Sequence, residues 1–175
     1  MEASGGGITL SGGEPVLQSA FLSKFLPRLK AEGINILLET AGHYSPRLLP
    51  QVLPHVDHVF FDWKSSGDAS HLQDTGHDRD RIEANLCTLV DAELPFTVRL
   101  PIVPGVNTDS GDVALISKRL LSLGVKSVSL LNYNNLWESK LSWLRSERQP
   151  LGLKPLALIA ELAAAYQSHG LVASG

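Results

Sequence analysis

Five short apolar runs, each followed by a stretch with helical spacing, constrain this chain more than any other feature. The runs occupy 8–10, 34–39, 58–61, 96–102 and 125–131. Strands that are apolar almost throughout and alternate with helices build a parallel sheet covered by helices. Right-handed crossovers then carry every strand-following loop to one edge of that sheet. The predicted class is α/β, about five parallel strands with outer helices, and 175 residues suit a single domain spanning 1–175.

The helical stretches carry their own signals. Leu17, Phe21, Phe25 and Leu29 recur every four residues, with Leu22 and Leu26 widening the stripe and Gly33 as the stop. Pro27 inside that pattern predicts a kink or an early end. A short helix is expected over 46–53, capped by Ser45. Longer ones are expected over 78–92, with Ile82, Leu86, Leu89 and Val90 inward, and over 112–123, with Ile116 and Leu120 inward and Gly124 as the stop. The stretch 132–154 reads as a long loop containing Trp137 and Trp143, and 155–169 as a last helix with Leu156, Ile159, Ala163 and Tyr166 on one side.

Polar residues recur where each run ends. After the first come Gly12, Gly13 and Glu14: two glycines whose backbone can approach a ligand closely, then an acceptor suited to an ammonium. A plain βα turn explains this stretch as well when it is read alone. Glu39 and Thr40 end the second run, Asp62 and Lys64 follow the third, Arg99 lies late in the fourth, and Asn132 and Asn134 follow the fifth. Such positions converge on one pocket in a barrel or doubly wound sheet. Taken singly, Asp62 with Lys64 also reads as a structural ion pair, Arg99 as the partner of a local acid, and Glu39 as an acceptor of loop amides. Their repetition at one end of several strands favours a common site.

Composition excludes several classes. A net charge of −3 and no basic run argue against a nucleic-acid partner. With no apolar stretch of membrane-spanning length and no signal-peptide pattern, the expectation is a soluble cytoplasmic protein with no membrane partner. Cys87 is the only cysteine, so no intrachain disulfide and no cysteine-bound metal or iron–sulfur site can form from this chain alone. His43, His55, His58, His71 and His77 have no metal-site spacing, and no GxGxxG, Walker or GxSxG motif is present. Residues 105–109, GVNTD, read as a turn.

Five segments, in order, resemble the radical S-adenosylmethionine enzymes that activate glycyl-radical enzymes, the pyruvate formate-lyase activating enzyme family. They are ASGGGITLSGGEP (3–15), ETAG (39–42), FFDWK (60–64), RLPIVPGVNTD (99–109) and LLNYNNLWESK (130–140). The resemblance implies a partial (β/α)₆ barrel of which this chain is a C-terminal portion, with S-adenosylmethionine across its open end. By similarity Gly12, Gly13 and Glu14 meet the methionine amino group. Glu39, where the family often has an aspartate, and Asp62 lie near the methionine carboxylate, with a monovalent cation between. Lys64 and Arg99 hold the carboxylate and sugar, and Asn134 stands where relatives often carry a histidine near the adenosine.

The family's chemistry also requires three cysteines in a CxxxCxxC loop that hold a [4Fe-4S] cluster. Reductive cleavage of the cofactor gives a 5'-deoxyadenosyl radical, which takes a hydrogen from a glycine of the partner enzyme. An electron donor such as flavodoxin or ferredoxin feeds the parent enzyme. Those cysteines are not in this sequence, so the chain is expected to be inactive alone and to bind no cofactor tightly. A cluster-free binding or regulatory module on the same scaffold is the alternative. A strand at 8–10 without an upstream neighbour is further expected to expose an edge and pair with another copy.

Overall fold

A computed structural model describes residues 6–64, 79–103, 107–134 and 159–175. Six strands form one parallel sheet: β1 (Gly7–Leu10), β2 (Asn35–Thr40), β3 (His58–Asp62), β4 (Phe96–Pro101), β5 (Ser127–Leu131) and β6 (Val172–Ser174). Their order in the sheet is their order in sequence. With right-handed crossovers, such an order keeps the helices on one side, which is the winding of a barrel rather than of a doubly wound sheet. The helices are α1 (Ser19–Ala31), α2 (Asp80–Asp91), α3 (Ser110–Ser122) and α4 (Ile159–Ser168).

Burial alternates along every central strand. Ile36 and Leu38, Val59 and Phe61, Val98 and Leu100, and Val128 and Leu130 are buried in the core that the helices complete, and Thr40 is buried on the same face. Glu39, Phe60, Asp62, Thr97, Arg99 and Ser129 fall between them and stay half-buried on the opposite face. The register sets Glu39 beside Phe60, Asp62 beside Arg99, and Arg99 beside Ser129. One face is therefore core, and the other presents a row of polar groups near the carboxyl ends.

Several expectations change. The sheet has a sixth strand, three residues long, which is too short for its alternation to show in sequence. Residues 46–53 do not form an α-helix; Leu49–Gln51 and Leu53–His55 are separate 3₁₀ turns. Pro50 and Pro54 lack the amides that an α-helix needs there, so the chain closes with three-residue bonds such as Val52 N–H to Leu49 O at 2.9 Å. On α1 the buried residues are Ser19, Leu22 and Leu26, while Leu17 and Phe21 are 58% and 59% exposed. The helix also continues through Pro27 to Ala31 rather than ending early. Trp137, Trp143, His71, His77 and 155–158 lie outside the described residues.

Candidate functional site

The glycine corner after β1 is held by its own acid. Gly12 has φ +89°, a conformation that L side chains rarely adopt, and a Cβ on Gly12 or Gly13 would meet nothing within 4 Å. Glu14 turns inward. Its carboxylate accepts the Thr40 hydroxyl at 2.9 Å, the Ala41 amide at 3.2 Å and the Val16 amide at 3.4 Å, the last capping the turn Pro15–Gln18. Burial raises the Glu14 carboxyl above its ordinary value; Thr40, the two amides and the nearby Lys64 ammonium offset this only in part.

Glu14's contribution to stability is present below its ordinary pKa of 4.5 and lost as pH rises through the raised folded value. Urea unfolding of the wild type should show this slope just above pH 4.5, and Glu14→Gln should lack it.

A second cluster sits on the open face. Arg99 donates from Nε to Asp62 Oδ1 at 2.8 Å and from Nη1 to Glu39 Oε1 at 3.0 Å, and its Nη2 lies 2.8 Å from Asp62 Oδ1. Its guanidinium lies over the Phe60 ring, 4.7 Å from the centroid. Ser11 donates to the other Glu39 oxygen at 2.9 Å, tying the end of β1 to the cluster. Desolvation acts to raise the Glu39 carboxyl, but the bonds from Ser11 and Arg99 outweigh it, so Glu39 titrates below its ordinary range. One layer deeper, a His58 ring nitrogen and the Thr97 hydroxyl are 2.9 Å apart.

The placement can be set against the sequence. Glu39, Asp62 and Arg99 are brought into direct contact, and Glu14 lies at the same edge with Lys64 near enough to act on its charge. Asp62 pairs with Arg99 across the strands, so the alternative of an Asp62–Lys64 pair gives way to a cross-strand network. Asn134 stands three residues beyond β5, exposed, at the same end of the sheet.

Sequence reasoning missed the residues that hold the loops. Asn85 on α2, fully buried, donates to the carbonyls of Gly42 (2.7 Å) and Tyr44 (3.0 Å) and so clamps the turn after β2. Asn107 in the GVNTD segment bonds Val103 N–H at 2.8 Å and Pro101 O at 2.9 Å, and Asp109 caps α3 through Asp112 N–H. A polar residue among the apolar positions of a helical stripe was the available signal for Asn85.

The chain does not fit an iron–sulfur cluster. Cys87, on α2, is the only thiol, and burial together with Asp91 and Glu83 pushes it above its ordinary value, away from the thiolate a cluster needs. Alkylation by iodoacetamide at pH 8 should be slower at Cys87 than in a free cysteine control. No group of three metal-ligating side chains occurs among the described residues. No described helix is long and apolar enough to cross a membrane.

Comparison with known proteins gives these features a context. The chain matches no protein-family model. It is 38% identical over 152 residues to the isethionate sulfite-lyase activating enzyme of Nitratidesulfovibrio vulgaris, covering 85% of this chain and 48% of that protein. It is 32% identical over 142 residues to the pyruvate formate-lyase-activating enzyme of Staphylococcus epidermidis, covering 77% and 57%. A solved domain of the pyruvate-formate lyase-activating enzyme from Bacteroides vulgatus superposes with a TM-score of 0.76 at 23% identity, covering 97% of this chain and 98% of that one. The chain spans about half the length of the curated relatives it matches. By sequence likeness to these activating enzymes, with a fold to match, the chain belongs to the radical S-adenosylmethionine family that activates glycyl-radical enzymes.

Proposed function

We propose that this chain is the S-adenosylmethionine-facing part of a glycyl-radical-enzyme activase, an oxidoreductase of the cytoplasm. The observation that carries the reading is the charge at the carboxyl edge. Three carboxylates, Glu14, Glu39 and Asp62, stand with two cations, Lys64 and Arg99, for a formal balance of −1. S-adenosylmethionine has an ammonium, a sulfonium and a carboxylate, so its balance is +1 and the two are complementary.

The residues fit that ligand in stated ways. Open space around Gly12 and Gly13 leaves their backbone free to be approached, and Glu14 beside them offers the acceptor for an ammonium. Lys64, exposed at the end of β3, supplies a cation for the carboxylate. Glu39, Asp62 and Arg99 form a rigid platform beside it, and Asn134 borders the adenosine side. When bound, the cofactor supplies the source of a 5'-deoxyadenosyl radical. The cluster that reduces it needs cysteines from outside these 175 residues, so the chain alone is expected to bind the cofactor weakly and to catalyse nothing. The parent enzyme's partners are then a glycyl-radical enzyme and a donor such as flavodoxin or ferredoxin.

The decisive experiment joins the chain to an upstream CxxxCxxC segment and measures iron content and reductive cleavage of S-adenosylmethionine. A cluster with cleavage supports the reading; a cluster-free joined protein sinks it. On the chain itself, calorimetry near the raised Glu14 pKa should show proton release on ligand binding, because an ammonium brought to the carboxyl favours its charged form. Glu14→Gln should abolish that release, and S-adenosylhomocysteine, which lacks the sulfonium charge, should bind less well.

A further inference from the structure

Tyr44 follows the turn after β2, is 1% exposed, and its hydroxyl has no hydrogen-bond partner among the described residues. For a side chain that only filled space, phenylalanine would serve better, because a buried hydroxyl left unpaired forfeits its bonds to water. The backbone fixes its place: Asn85 donates to the Tyr44 carbonyl at 3.0 Å, and the Tyr44 amide donates to Gly42 O at 3.0 Å. Thr40 and Glu14 are the groups that act on the hydroxyl. Burial, opposed by Thr40 and helped by the Glu14 charge, holds the phenol far above its ordinary value, so Tyr44 keeps its hydrogen and remains a donor.

Thr40 has a vacancy of the matching kind. A hydroxyl carries one hydrogen and two lone pairs. The Thr40 hydrogen goes to the Glu14 carboxylate, both of whose oxygens lie 2.9 Å away, and one lone pair takes the Gly42 amide at 3.0 Å. The second lone pair has no donor among the described residues, and Thr40 is only 4% exposed, which keeps bulk water from it. A spare buried donor and a spare buried acceptor thus lie together behind Glu14.

We propose that Tyr44 is a positioning residue for Glu14: with Glu14 ionised, the Tyr44 hydroxyl donates to Thr40 Oγ1 while Thr40 gives its own hydrogen to the Glu14 carboxylate. A hydroxyl that accepts a bond donates more strongly, so the two in series support the carboxylate better than Thr40 alone. Neutral Glu14 gains less from that donor, and the relay therefore favours the charged acid. Its use to the protein rests on the reading of Glu14 as acceptor of the cofactor's ammonium, for which it keeps the acid charged and oriented. Tyr44 acts through Thr40.

Carbon-detected NMR of the ligand-free chain, following the Glu14 carboxyl from acid to neutral pH, tests the relay. Tyr44→Phe keeps the ring, deletes the hydroxyl and should raise the Glu14 pKa by about 0.3 of a pH unit or more. Lys64, the charged side chain that acts on Glu14, is untouched in every variant. Thr40→Val removes the middle link, and in that background Tyr44→Phe should add nothing; Thr40→Ser restores the link and should restore the effect. Urea unfolding gives a second readout that needs no change at Thr40. The relay predicts that Tyr44→Phe loses stability above the Glu14 pKa and less below it, whereas an idle hydroxyl predicts no loss or a gain. An unmoved Glu14 titration in Tyr44→Phe, or the same shift with and without the Thr40 hydroxyl, overturns the proposal. Adding S-adenosylmethionine separates the two readings: a relay shift without proton release on binding supports the relay and tells against the cofactor reading alone.

Discussion

Replacing Gly42 with alanine is expected to destabilise the fold by about 3 kcal/mol or more, through strain and a clash together. Gly42 has φ +76°, and a Cβ there would overlap Phe61 Cζ and lie 2.8 Å from Cε2, with the Ile82 backbone 3.4 Å away. Phe61 has no solvent exposure, so its ring has no space into which to withdraw. The turn cannot slide away either, because Asn85 holds the Gly42 carbonyl and the Thr40 hydroxyl accepts the Gly42 amide at 3.0 Å. Gly33→Ala provides the comparison: φ is +72° but nothing lies within 4 Å, so it should cost only the backbone penalty of about 1 kcal/mol. Urea unfolding measures both, and equal losses would show that the Phe61 contact contributes nothing. Because Thr40 also binds Glu14, a shifted turn should move the Glu14 titration as well, linking the packing behind β2 to the site in front of it.

The parallel sheet was legible because each central strand is apolar on its helix side, and β2, β3 and β4 end in acids or arginine at one edge. What misled was the open face. Leu37 and Phe60 are apolar there too, so strands that read as buried on both sides are in fact covered on one and half-covered on the other. Spacing on α1 misled in a similar way. A four-residue repeat of Leu17, Phe21, Phe25 and Leu29 looks like a core stripe, yet Leu22 and Leu26 are the buried positions and Phe21 is left to solvent. Sequence periodicity reports that a helix has an apolar side, and the sheet decides which part of that side it takes. The loop clamps were hidden for another reason: Asn85 left only the trace of a polar residue in an apolar stripe, and both it and Asn107 bond backbone carbonyls or amides, whose positions no residue pattern encodes. The acids of the candidate site were visible and Arg99 as the partner of an acid was one reading, but which acids it meets was not, since Asp62 and Glu39 reach Arg99 from other strands rather than from neighbouring positions.

Arg99→Met is expected to lower stability by about 2 kcal/mol at pH 7, below the 3–5 typical of a buried pair because these side chains keep some contact with water. Arg99 is 15% exposed, Asp62 22% and Glu39 29%, so solvent screens part of what is lost. Arg99→Lys should recover only part, because one ammonium cannot reproduce a planar fork that reaches two carboxylates and lies over Phe60. The pH dependence separates this from a simple packing loss. Glu39 has a folded pKa below 4.5, so its stabilisation is present above that value and disappears as pH falls through the folded pKa. The difference between wild type and Arg99→Met should therefore be full at neutral pH and shrink below pH 4.5 as Glu39 takes up its proton. A difference that persists unchanged into acid would place Arg99's contribution in its contact with Phe60 instead. If the difference does shrink, the same titration shows that Arg99 holds Glu39 in its charged form at neutral pH.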